Sequence, residues 1–102
     1  MSRQDAIGAA KRFVAVVGKK YPVDKAYVFG SFAKGRDDES SDIDVCIVSR
    51  FFGKNYLDEE MELRGLSVNV DARLSPVAFN PVDLEDKYNQ LAFEIKKYGV
   101  QI

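Results

Sequence analysis

Apolar residues near the start of the chain repeat at the spacing of an α-helix. They recur three or four positions apart, which places them on one side of a helix. Ser2 and Asp5 have the spacing of a capping box, and Gly18 is suited to end the helix. The pattern therefore predicts an amphipathic helix that packs on a sheet, with an apolar stripe made of Ile7, Ala10, Val14 and Val17.

A second helical pattern fills the last quarter of the chain. Asn80 is suited to cap a helix, Pro81 to take its first position and Asp83 its third. We expect one continuous helix from there to Gly99, with an apolar stripe made of Leu84, Tyr88, Leu91, Ile95 and Tyr98. The apolar residues after Gly99 predict that the last positions dock on the core rather than extend into solvent.

Three segments have the composition or the alternation of β-strands. Lys25 to Phe29 ends in aromatic and β-branched residues, and Ile43 to Ser49 is a nearly continuous apolar run. Leu66 to Asp71 alternates apolar and polar residues, which predicts a third strand with Asp71 on its polar face. Between them, Asp58 to Arg64 favours a helix. Two interpretations stay open for the aromatic-rich segment Arg50 to Tyr56: a loop packed on the core, or a contact surface for a partner.

Composition narrows the function classes. The chain has 102 residues, which indicates a single domain over 1–102, and its 15 basic and 16 acidic residues give a net charge of −1. This balance does not favour direct nucleic-acid binding. Histidine is absent, which excludes catalysis by histidine triads and zinc-protease motifs. With no membrane or signal segment predicted and a single cysteine, Cys46, expected in the core, we expect a cytoplasmic protein.

The residues that join the first two predicted strands combine a phosphate site with a cation site. Gly30 and Ser31 form a turn whose free N–H groups suit a phosphate. Asp42 and Asp44 alternate along the next strand, so both carboxylates project from the same side. A glycine–serine turn or an Asp-x-Asp pair alone is common in loops and at strand ends. Their conjunction favours a site for Mg²⁺ and a nucleoside triphosphate.

Two basic residues of the same segment are candidates for nucleotide binding. Lys34 and Arg36 follow the Gly30–Ser31 turn, where they would balance the charge of a triphosphate. The alternative interpretation is an ordinary solvated surface.

The stretch GSFAKGRDDESSDIDV resembles the signature of the polymerase β-like nucleotidyltransferase superfamily, and most of all its minimal nucleotidyltransferase branch. The resemblance implies an α+β fold: a small nucleotidyltransferase core with a short mixed β-sheet and helices packed on one face. It also implies two Mg²⁺ ions held by Asp42, Asp44 and a third carboxylate on an adjacent strand, for which Asp71 is the candidate. Many relatives have arginine directly after the glycine–serine pair, whereas this chain has Phe32.

Three functions follow from the resemblance. The favoured one is an antitoxin that transfers AMP from ATP to a tyrosine hydroxyl of a partner toxin with a HEPN domain. A second is a nucleotidyltransferase acting on a small-molecule hydroxyl, as aminoglycoside-modifying relatives do. A third is a catalytically silent antitoxin that neutralises its partner by binding alone. Whether the chain forms a homo-oligomer is left open.

Overall fold

The computed structural model describes residues 2–30 and 42–102, and within them a mixed sheet lies between two pairs of helices. The helices are α1 (Arg3–Val17), α2 (Tyr56–Val68), α3 (Pro81–Glu85) and α4 (Gln90–Tyr98). The strands are β1 (Lys25–Phe29), β2 (Ile43–Val48), β3 (Leu74–Phe79) and β4 (Val100–Gln101). The sheet order is β3-β2-β1-β4, with β2 parallel to β3 and antiparallel to β1, which pairs in turn antiparallel with β4. The predicted α+β class is confirmed.

The first helix forms as its sequence indicates. Ser2 and Asp5 make both hydrogen bonds of a capping box, and Gly18 occupies the C-cap. Because the capping box satisfies backbone N–H groups that have no partner inside the helix, it fixes where α1 begins. The buried side is built from small and aromatic side chains that let the helix approach the sheet closely: Ala6, Ala9, Ala10, Phe13 and Val17.

Strand alternation divides the core into two clusters. Val28 and Val45 are opposite one another in the β1–β2 register and belong to the cluster that contains the buried residues of α1 and α2. Phe29 and Cys46 point to the other face, where Ile95 of α4 is fully buried. Helices therefore cover both faces of the sheet. The resemblance implied helices on one face; α1 and α2 do share a face, and α3 and α4 cover the opposite one.

The predicted strand from Leu66 to Asp71 is wrong. The structure continues α2 to Val68, and Asp71 lies in the turn before β3. Leu63 and Ser67, four positions apart, are buried while Val68 is 64% exposed, so this segment follows the helical period. Three alternating positions were too short a run to distinguish the two periods.

The actual third strand carries a proline at an edge of the sheet. In β3 the outward-facing backbone positions are Leu74, Pro76 and Ala78. Pro76 has no backbone N–H. The other two N–H groups have partners within the chain: that of Leu74 donates to the carbonyl of Asp71 at 3.1 Å, and that of Ala78 donates to the Glu60 carboxylate at 3.3 Å. This edge is consequently protected from pairing with another strand.

The C-terminal helical pattern is interrupted. Asn80 and Asp83 form the predicted capping box, but α3 ends at Glu85 and a new helix, α4, starts behind its own cap at Asn89. Tyr88, which was expected in a continuous apolar stripe, is 83% exposed. The tail docks as predicted, because β4 pairs with β1 and the N–H of Ile102 donates to Ala26 at 3.0 Å. Within the described residues, every helix is too short or too polar to cross a membrane.

Candidate active site

Gly30 lies against the carboxylate of Asp44. Phe29, the last residue of β1, is opposite Asp44 in the strand register, so Gly30 follows directly beside this side chain. Gly30 has φ +81°, and a Cβ added there would overlap Oδ2 of Asp44 and lie 3.1 Å from its Cγ. Both the dihedral angle and the available space therefore require glycine. The backbone that the sequence assigned to phosphate binding is in contact with a predicted metal ligand.

Asp42 and Asp44 act on one another electrostatically. Asp44 is half-buried on the α4 side of the sheet, whereas Asp42 is exposed just before β2. Burial raises the pKa of the Asp44 carboxyl, and the negative charges of Asp42 and Glu94 raise it further. Neither aspartate makes a hydrogen bond or an ion pair with another described residue, so no side chain in this part of the chain offsets their repulsion.

This donor set fits a magnesium ion that is shared with a nucleotide. Mg²⁺ prefers oxygen ligands and is commonly held by one or two carboxylates together with substrate phosphates, rather than by a complete protein cage. Residues 2–30 and 42–102 contain no group of three or more histidine, cysteine, aspartate or glutamate side chains arranged to hold a metal ion. Asp42 and Asp44 could hold the cation, with Gly30 beside it.

Asp71 is held by Arg73. Its carboxylate accepts hydrogen bonds from the backbone N–H of Arg73 at 2.9 Å and from its Nε and Nη2 at 3.0 and 2.7 Å. These hydrogen bonds lower the pKa of Asp71 to about 2, helped by the charges of Arg73 and Arg12, and no acidic neighbour contributes. The structure therefore brings Asp42 and Asp44 together but groups Asp71 with arginines. Its role as the third metal ligand stays a prediction, and the strand on which that role was based is absent.

Glu94 is the acidic residue near the site that the sequence did not single out. It lies on α4, and its charge reaches Asp44 from the helix that covers this face. Glu94 could have been placed near Asp44 from the sequence only if the start of α4 had been known, because the break after α3 determines which α4 side chains face the sheet. Of the other predicted site residues, Ser31, Lys34 and Arg36 lie outside the described residues.

Similarity to known proteins identifies the family. The family model of the nucleotidyltransferase domain matches residues 10–99, which is most of the chain and includes Gly30, Asp42 and Asp44. The chain belongs to the nucleotidyltransferase domain family. The resemblance noted in the sequence is thereby confirmed, and with it the assignment of the chain as a nucleotidyltransferase. No curated protein matches this sequence.

Solved structures share the nucleotidyltransferase fold described here. A Sulfolobus solfataricus protein proposed to be a nucleotidyltransferase aligns with TM-score 0.70 and 23% identity, over 97% of this chain and 80% of its own. A toxin–antitoxin structure with AMP-PNP aligns with TM-score 0.67 and 21% identity, over 90% and 70%. A variant of the toxin–antitoxin MntA-HpeT aligns with TM-score 0.65 and 21% identity, over 90% and 69%. At sequence identities of 21–23%, these structural similarities establish a shared fold and nothing more.

Proposed function

We propose that this nucleotidyltransferase transfers AMP from ATP to a hydroxyl of a partner toxin with a HEPN domain, and so acts as its antitoxin. We expect the acceptor to be a tyrosine hydroxyl. The observation that carries the proposal is the contact of Asp44 with Gly30, together with the charge of Asp42 acting on Asp44. The folds of the toxin–antitoxin structures, one of them with AMP-PNP, support this choice over other nucleotidyl acceptors.

The transfer is a single displacement at phosphorus. The acceptor oxygen forms a bond to the α-phosphorus of ATP, the bond from that phosphorus to the bridging oxygen breaks, and pyrophosphate leaves with the electron pair. The proton of the hydroxyl is released to solvent. Magnesium, when bound, would neutralise charge on the attacking and leaving oxygens. The backbone of Gly30 and the side chain of Ser31 would orient the terminal phosphates, and Asp42 and Asp44 would fix the cation beside them.

Three further residues complete the proposed site. Lys34 and Arg36 would balance the charge of the triphosphate. Asp71 would supply a third carboxylate, which requires that it exchange the guanidinium of Arg73 for the cation.

The test measures the transfer of radioactive label from ATP to the partner protein. The proposed HEPN-domain partner is purified with the chain and incubated with Mg²⁺ and either [α-³²P]ATP or [γ-³²P]ATP. We expect label on the partner from the first nucleotide only, and none after chelation of the metal. Asp42→Asn and Asp44→Asn should each lower labelling by about a hundredfold or more, while the affinity for the partner is unchanged. Absence of labelling by the wild-type chain, or undiminished labelling by both variants, would contradict the proposal.

The catalytically silent antitoxin is favoured by one observation, the pairing of Asp71 with Arg73. In that case the wild-type chain and both asparagine variants would neutralise the toxin equally well, and none of them would label it.

A further inference from the structure

Ser75 is the polar side chain that the sheet places beside Asp44. The register of β2 and β3 pairs Asp44 with Ser75, and the register of β1 and β2 pairs it with Phe29. Neighbouring strands lie about 4.7–4.9 Å apart, so these two residues are the nearest neighbours of Asp44 across the sheet. Phe29 is buried and apolar. Ser75 is therefore the cross-strand neighbour of Asp44 whose side chain can make hydrogen bonds.

Ser75 and Asp44 share one face of the sheet. Asp44 lies two positions from Cys46 on β2, and Ser75 lies two positions from Val77 on β3. Cys46 and Val77 both belong to the apolar cluster on the α4 side. Because side chains two positions apart in a strand point the same way, Asp44 and Ser75 both face this side. Each is only partly buried, so a ligand from solvent can approach the two together.

The hydroxyl of Ser75 differs from those of the other serines in residues 2–30 and 42–102. The hydroxyl of Ser2 caps α1, and those of Ser49 and Ser67 make hydrogen bonds with nearby backbone groups. Within the same part of the chain, the hydroxyl of Ser75 makes no such hydrogen bond, and neither does the carboxylate of Asp44. Two adjacent polar groups that are not hydrogen-bonded to the protein keep a donor and several acceptors available for a ligand.

A hydroxyl at this position suits a hydrated divalent cation. Mg²⁺ gives up its waters reluctantly, so an ion held by one or two carboxylates keeps several of them. A serine hydroxyl can accept a hydrogen bond from such a water and donate one to a carboxylate oxygen. Side chains that make these outer contacts orient the metal ligands, and their removal commonly weakens metal binding about 10–100-fold.

We propose that Ser75 is a positioning residue of the cation site: its hydroxyl joins the Asp44 carboxylate to a water in the hydration shell of the bound cation, and so holds that carboxylate in place. This inference rests on the proposed function, because the cation is the one that the transfer uses. Ser75 takes up and releases no proton or group during the transfer. Its contribution is to the affinity for the cation.

Cation binding is measured without nucleotide or partner. Mn²⁺ alone is titrated into the chain, and the free ion is followed by electron paramagnetic resonance. Ser75→Ala should raise the dissociation constant about tenfold or more. Ser67→Ala is the matched control: it removes a serine hydroxyl from α2, on the other face of the sheet, and should leave the constant unchanged. Asp44→Asn should abolish the binding, which identifies the titrated site as this one.

Two further readouts separate positioning from a structural role. Ser75→Thr and Ser75→Val both introduce a β-branched side chain that suits a strand, but only the first keeps a hydroxyl. Ser75→Thr should therefore bind Mn²⁺ about as tightly as the wild-type chain and Ser75→Val more weakly, with similar stability in urea. In the labelling assay, Ser75→Ala should raise the Mg²⁺ concentration needed for half-maximal transfer and leave the rate at saturating Mg²⁺ near that of the wild-type chain.

Several outcomes would overturn the inference. These are equal Mn²⁺ affinity of Ser75→Ala and Ser67→Ala, equal affinity of Ser75→Thr and Ser75→Val, and a transfer rate of Ser75→Ala that stays low at saturating Mg²⁺. Mn²⁺ binding that is absent from the wild-type chain, or that Asp44→Asn leaves intact, would overturn it as well. If Asp44 and Ser75 both govern the Mn²⁺ affinity but the partner is never labelled, the proposed transfer fails and the role of Ser75 stands.

Discussion

Gly30 and Asp44 are in direct contact, and each limits what the other position can be. The backbone at Gly30 is left-handed, and the space in which a Cβ would stand is filled by the Asp44 carboxylate. A phosphate held by the N–H groups of this turn would therefore lie beside the carboxylate that fixes the cation. The contact explains why the glycine–serine turn and the Asp-x-Asp pair occur together.

Gly30→Ala should inactivate the enzyme more than it destabilises it. The left-handed conformation of an alanine costs about 1–2 kcal/mol, and the added methyl group would push Asp44 from its place. We expect transfer to fall about a hundredfold or more in the labelling assay, with a modest loss of stability in urea. Gly65→Ala is the control: it lies inside α2 with nothing within 4 Å of the added Cβ, and it should stabilise the chain by about 0.5–1 kcal/mol with full activity. Equal activity of the two variants would show that the Gly30 turn is not part of the site.

Magnesium should stabilise the folded chain through Asp44. Because burial and the charge of Asp42 disfavour ionised Asp44, removal of its charge should not weaken the apo protein. Bound cation adds stability by mass action, about 2.7 kcal/mol at a concentration about a hundredfold above the dissociation constant. We therefore expect Mg²⁺ to raise the melting temperature of the wild-type chain and to have little effect on Asp44→Asn. A similar rise in both would place the cation elsewhere.

Local rules predicted those elements whose ends carry their own signals. The capping residues Ser2 and Asn80 mark the starts of two helices as expected, and β1 has the predicted bounds. These signals involve hydrogen bonds within a few residues, so they can be seen without knowledge of the fold. The closeness of Gly30 to Asp44 could be expected because Gly30 directly follows the first predicted strand and Asp44 lies on the next one.

The features that sequence reasoning missed depend on tertiary packing. The apolar residues around Leu66 fit a helix and a strand equally well over a short run, and contact of α2 with the sheet decided for the helix. The strand β3 contains Pro76, which local rules disfavour in a strand and which fits only because β3 lies at the edge of the sheet. The approach of Glu94 to Asp44 depends on the break between α3 and α4. The residues from Asp86 to Asn89 include no proline, so this break has only a weak signal in the sequence.

Asp71 and Arg73 can be assigned by a pair of variants. The carbonyl of Arg73 accepts the N–H of Ile43 at 2.8 Å, so the Asp71–Arg73 turn also joins the starts of β2 and β3 beside Asp42. Arg73→Ala and Asp71→Asn should each destabilise the chain by about 1 kcal/mol or less, as expected for a partly exposed ion pair. If Asp71 becomes a metal ligand, Asp71→Asn should lose transfer while Arg73→Ala, with the carboxylate released, retains it. Equal loss in both would leave Asp71 with a structural role alone.

Alkaline pH should weaken the contact between α2 and the end of α1. The hydroxyl of Tyr21 donates to Glu62, which also pairs with Lys20, and this hydrogen bond raises the pKa of Tyr21 from 10.0 to about 12, with burial adding to the shift. Because the folded pKa lies above the unfolded one, the stabilisation from Tyr21 is complete below pH 10 and is lost as the pH rises through about 12. The difference in unfolding free energy between the wild-type chain and Tyr21→Phe, measured in urea, should therefore be constant up to about pH 9 and shrink steadily above about pH 10.

Tyr88→Phe, at a ring 83% exposed to solvent, is the control and should differ little from the wild-type chain at any pH. A difference between wild type and Tyr21→Phe that does not change across this range would show that the hydroxyl of Tyr21 does not stabilise the fold through Glu62.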